Sequence, residues 1–164
     1  MDDSAVAAAT RPETGGVGTL AGGCPCGAVR FAIAAVFDCR YCHCRYCRRT
    51  SGAPVTVGAV VKLEDFRLTA GSLVAARRGS KGTEHRCGSC RSEISFEFAT
   101  SMGSFLSIAV GLLDDPDACP PRFHQWFSER LRWLHVHDTL PKYADDRIPH
   151  PDTRRHAAGL AGRP

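Results

Sequence analysis

Three thiols fall within six positions in Cys42-His43-Cys44-Arg45-Tyr46-Cys47-Arg48-Arg49. Thiolates this close repel one another unless a cation sits between them, and a C-x-C-x2-C spacing suits zinc with one open position. A second set comes from two segments far apart in the chain: Cys24 and Cys26 as C-x-C, Cys87 and Cys90 as C-x2-C. Four thiolates build a closed tetrahedral zinc site. The two sets therefore predict different roles for two zinc ions. The four-thiol site clips the N-terminal strand to the middle of the chain and contributes on the order of 10 kcal/mol to folding. The three-thiol site keeps a position free to hold a thiol as thiolate or to polarise a carbonyl oxygen, which is what a catalyst requires.

Neighbouring residues extend or close that second site. Arg45, Arg48 and Arg49 are candidates for attracting an anionic substrate, against the plainer reading of a solvated cationic face. Cys39 or His43 as a fourth ligand would make the site purely structural. His43 lies between two ligands and more naturally points away, so Cys39 is the easier closure. Cys119 reads as a lone thiol. His124 with Trp126 sets a polar tip beside an aromatic wall, a pairing that suits a substrate pocket.

The elements that must position these residues read as short strands. The chain of 164 residues supports one core, and 16 Gly and 10 Pro favour turns and strands over long helices. Residues 1–19 lack hydrophobic periodicity and are expected to form a flexible tail, 20–146 the zinc-binding domain, and 147–164 a second flexible tail. Val29, Phe31 and Ile33 alternate on one strand face as the chain leaves the first cysteine turn. Val55 to Val61 and Ile94 to Phe98 read as further strands, and Leu63 to Phe66 as a helical turn. Leu131, Trp133 and His135 are expected on one face of a late strand.

Composition also narrows the partners. The net charge of +4 is mild and its cations are scattered, so nucleic acid is not expected. The N-terminal residues carry neither a basic n-region nor an apolar stretch able to span a membrane, and a cytosolic protein is expected. In that reducing compartment nine cysteines favour metal binding over disulfides.

Three blocks carry a family likeness: Gly23-Cys24-Pro25-Cys26-Gly27-Ala28-Val29-Arg30-Phe31, then Cys42 through Gly52, then Cys87 and Cys90. Leu113-Asp114-Asp115-Pro116, Trp133, Leu140-Pro141 and Tyr143 follow in the same order. Together these resemble the glutathione-dependent formaldehyde-activating enzyme family, which includes the centromere protein V group. The resemblance implies a mainly β, Mss4-like (β-tent) fold of small twisted antiparallel sheets around zinc sites, with few short helical turns. It also implies two zinc ions, with Cys24, Cys26, Cys87 and Cys90 structural and Cys42, Cys44 and Cys47 catalytic. The implied reaction is carbon–sulfur lyase chemistry on a thiol adduct of formaldehyde or a related small aldehyde, with glutathione or another small thiol as partner. The alternative is a non-catalytic zinc module that presents its arginines to a protein. Two positions depart from the family pattern: Arg91 stands where a Gly usually follows the last cysteine, and Arg86 where a Phe usually precedes the third. An easy left-handed turn is lost at Arg91.

Overall fold

The structure is a computed structural model and describes residues 19–78 and 81–146. The two expected tails lie outside the described residues, apart from Thr19. Ten strands dominate, with one short α-helix and several 3₁₀ turns. Three strands, β1 (Leu20–Gly23), β2 (Arg30–Ile33) and β5 (Phe66–Ala70), form an antiparallel sheet in the order β1-β2-β5. The others are β3 (Asp38–Cys42), β4 (Thr56–Lys62), β6 (Leu73–Arg77), β7 (Thr83–Cys87), β8 (Glu93–Thr100), β9 (Gly103–Ala109) and β10 (Phe123–Gln125). They form one seven-stranded sheet in the order β10-β3-β4-β9-β8-β7-β6.

The fold is thus mainly β with few short helical turns, as expected, in one three-stranded and one seven-stranded sheet. The larger sheet is mixed, because β10 runs parallel to β3 while the other strand pairs in it are antiparallel. The parallel pair arises because β10 returns after a long excursion instead of through a hairpin. No strand forms over 131–136, where Trp133 is two-thirds exposed; the expected strand face there is absent.

Strand alternation sorts residues onto two faces of the large sheet. Ala59 and Val61 of β4, with Leu106 and Ile108 of β9, meet Val29, Phe31 and Ile33 in the main core. Val60, Phe98 and Phe105 form a smaller cluster. Arg40 and Cys42 of β3 share a face by the same two-residue period, paired across the ladder with Gly58 and Thr56. Gly58 in turn pairs with Ala109, so the row beside Arg40 carries almost no side-chain bulk. A Cβ at Gly58 would approach Ser107 Oγ to 3.0 Å and Arg40 Nη1 to 3.9 Å. Among the described residues no helix is long and apolar enough to cross a membrane.

Candidate functional site

Two turns bring the first four thiols together. Cys24 and Cys26 lie between β1 and β2, while Cys87 ends β7 and Cys90 sits in the turn to β8. Their sulfurs all lie within 4.8 Å of one another, with Cys24 to Cys26 at 3.2 Å and Cys26 to Cys87 at 3.8 Å. A tetrahedron with Zn–S bonds near 2.3 Å has sulfur–sulfur edges of about 3.8 Å, so the set fits zinc with little adjustment. The Val29 N–H donates to Cys24 Sγ at 3.2 Å. Cys90 Sγ lies 3.4 Å from Ser92 Oγ, and hydrogen bonding with the side chain and then the backbone of Ser92 draws the thiol down to about 6. Gly27 and Arg91 close the two turns with left-handed backbones, φ 77° and 64°. Arg91 thus adopts the conformation a glycine would supply, with its N–H on the Cys87 carbonyl at 3.1 Å.

The other trio spans a strand end and a helix start. Cys42 is the last residue of β3, Cys44 caps the N-terminus of α1 (Arg45–Ser51), and Cys47 lies in its first turn. The cap is made by sulfur: Cys44 Sγ accepts the Cys47 N–H at 3.3 Å. Cys42 and Cys47 sulfurs stand 3.7 Å apart, again a tetrahedral edge, and all three lie within 4.8 Å. Gln125 Nε2 donates to Cys42 Sγ at 3.6 Å. Hydrogen bonds from Cys44 and then Cys47, with the Arg40 charge adding, hold the Cys42 thiol well below its ordinary range. Cys44 is pushed up to about 12 beside that thiolate. A dication would hold all three as thiolates.

Neither alternative fourth ligand reaches the trio. Cys39 faces the main core, its Sγ donating to the Cys119 carbonyl at 3.2 Å. Cys119 joins neither thiol set and lies beside Cys39. His43 points away, with Nε2 2.8 Å from His124 Nδ1. Among the described residues no other histidine, cysteine or carboxylate joins the three sulfurs.

The trio opens onto a cavity of about 470 Å³. Trp126 packs on Cys42 and Cys44, and Tyr46 beside Cys47, giving the sulfurs an apolar surround. Arg40 and Gln125, 7% and 3% exposed, contribute polar groups to the lining, together with Lys81, Arg86 and Glu93. Burial, and then the neighbouring Glu84, pushes the Glu93 carboxyl up to about 7. Glu84 itself is buried between Arg78 and Arg86, and their hydrogen bonds overcome its burial to hold it at about 2.

The profile of the glutathione-dependent formaldehyde-activating enzyme family matches residues 19–129, which contain both cysteine sets. The chain belongs to this family. Among solved structures, a Rhodobacter sphaeroides protein is similar at 19% identity and a TM-score of 0.47, over 75% of this chain and 98% of that one. No curated protein matches.

The remaining candidates occupy positions that differ from one another. In this family member Trp126 lines the cavity, held in a left-handed backbone conformation at φ 55°. His124 is fully buried and does not line it. It stacks on Tyr41 at 4.6 Å between ring centroids, meets His43, and sends Nε2 to the Asp138 carboxylate at 3.0 Å. Burial, reinforced by His124, lowers His43 to about 4. These groups tie β10 and the chain after it to β3. Arg45, Arg48 and Arg49 do not line the cavity. Arg45 offers its backbone N–H to the Glu129 carboxylate at 2.6 Å, and Arg48 Nη1 donates to the Glu129 carbonyl at 2.5 Å, which pins α1 to the turn after Trp126. Arg40 and Gln125 are among the cavity residues that sequence reading missed, as are Lys81 and Glu93. For Arg40 the signal was present: it sits two residues before Cys42 on a strand, hence on the same face.

Proposed function

We propose that this protein is a zinc-dependent carbon–sulfur lyase that makes and breaks the thiol adduct of formaldehyde or a related small aldehyde. Glutathione is the first thiol to test, because membership in the formaldehyde-activating family points to it. The observation that carries the reading is the open side of the Cys42, Cys44 and Cys47 trio, which meets a cavity large enough for a small thiol and an aldehyde. In the forward sense the thiol sulfur bonds to the aldehyde carbon, the carbonyl π bond becomes a C–O single bond, and the thiol proton ends on that oxygen. The reverse step releases thiol and aldehyde.

Zinc bound by the trio would supply a cation that keeps an incoming thiol deprotonated and reactive at neutral pH. The chain's own groups do the rest. Gln125 orients the Cys42 sulfur, Trp126 and Tyr46 exclude water around it, and α1 holds Cys44 and Cys47 at fixed spacing. In the same reading Cys24, Cys26, Cys87 and Cys90 hold a second, structural zinc, residues 20–146 are the working domain, and the reducing cytosol keeps its thiols free.

Metal analysis with one substitution tests this. The unaltered protein is expected to carry about two zinc ions, and Cys44→Ser about one with the circular dichroism spectrum retained. Glutathione-dependent consumption of formaldehyde above the spontaneous rate should disappear in the variant. One zinc in the unaltered protein, or full acceleration by Cys44→Ser, would overturn the proposal.

A further inference from the structure

Arg40 lies in the cavity wall with no carboxylate against its guanidinium among the described residues. It is 93% buried, yet among the described residues it makes no ion pair, unlike Arg30, Arg78 and Arg86, which sit against carboxylates. Its contacts are Nη1 to the Gly58 carbonyl and Nη2 to Ser107 Oγ, both at the 3.5 Å limit, and its Nε has no partner. A guanidinium presents five N–H donors in a planar fork shaped for a carboxylate, and burying one without such a partner is costly. Gly58, Ser107 and Ala109 line the cavity beside that fork, and the first and last bring little bulk to it.

The place of Arg40 relative to the reacting sulfur gives this meaning. Arg40 and Cys42 stand two residues apart on one face of β3, so their backbones are separated by about 7 Å. An anion held by Arg40 and a sulfur held at the trio therefore share one cavity. The thiolates offer Arg40 only a diffuse counter-charge: the side chain that donates to the Cys42 sulfur is Gln125.

We infer that Arg40 anchors a carboxylate carried by the thiol substrate, so that the site selects short-armed anionic thiols over neutral or cationic ones. This rests on the proposed thiol chemistry and adds the class of thiol. It also moves anion recognition from the helix arginines, which engage Glu129 or lie exposed, to a strand residue within the cavity. Arg40 is then a residue that binds substrate at a distance from the reacting atoms.

Calorimetric titration of the zinc-loaded full chain with mercaptopropionate, mercaptoethanol and cysteamine tests it. Mercaptopropionate is expected to bind at least about tenfold more tightly than the other two, the size of one charged hydrogen-bonded contact. Arg40→Met should weaken mercaptopropionate by about the same factor, leave mercaptoethanol within about twofold, and keep the zinc content; Arg40→Lys should recover part of the loss. Equal weakening of all three thiols, or loss of zinc, would show that Arg40 balances the thiolates and would overturn the inference. Should Arg40→Met fail to fold, the rank order for the unaltered protein still decides. Binding without charge selectivity refutes this inference alone, whereas absence of binding by every thiol refutes the lyase reading as well.

Discussion

Replacing Arg91 by glycine should stabilise the protein, although it removes a whole charged side chain. Arg91 holds φ at 64°, where an L-residue is strained by about 1–2 kcal/mol because its Cβ crowds the following carbonyl. Its structural contacts are made by backbone: the N–H donates to the Cys87 carbonyl, and its own carbonyl accepts Arg86 Nη1 at 2.9 Å. Glycine keeps both. The gain is offset by the wider freedom of glycine in the unfolded chain, about 0.5–1 kcal/mol. The net expectation is a stabilisation of about 0.5–1 kcal/mol, or a rise in Tm of roughly 1–4 °C for a chain of this length. Scanning calorimetry of zinc-loaded protein would measure it, with Arg91→Ala as the control that removes the side chain but keeps the strain. Arg91→Gly no more stable than the unaltered protein at equal zinc content would refute the reasoning. A gain in Arg91→Ala as large as in Arg91→Gly would refute it too, since that gain would come from charge and not from backbone.

Two further outcomes follow from the cavity and its supports. Glu93 titrates at about 7 when folded and near 4.5 otherwise, so the stability linked to its proton is fully present below pH 4.5 and lost as pH rises through 7. Glu93→Gln, which mimics the protonated form, should match the unaltered protein in urea midpoint at pH 4.5 and exceed it at pH 8; a difference independent of pH would contradict the shift. Asp138→Ala leaves the fully buried His124 Nε2 without its acceptor and should cost about 1–3 kcal/mol by urea denaturation, with Asp138→Asn milder. A loss below about 0.5 kcal/mol would mean that the ring is satisfied another way.

Much of the site was legible because metal-binding cysteines announce themselves by local spacing. Each pair lies within one turn and the trio within one strand-to-helix junction, and such local geometry depends on the residues within it. The alternation of Val29, Phe31 and Ile33 likewise marked a strand edge of the core, since a two-residue period is a property of the strand alone. What the sequence by itself determined was therefore two thiol sets of unequal number in a β-rich domain. Only the tertiary structure decided what surrounds them, because that depends on which distant strands pair and in what register. The parallel pairing of β10 with β3 brings Gln125 to Cys42, sets Trp126 at the cavity wall, and buries His124 against His43, contacts 81 to 83 residues apart in the chain. The same register turns Arg40 toward the near-bare Gly58 and Ala109 row, while α1 docks Arg45 and Arg48 on Glu129. Which arginine lines the cavity was therefore only half legible: the two-residue spacing sets Arg40 on the face of Cys42, but a strand's two faces look alike in sequence until the fold puts a cavity against one of them.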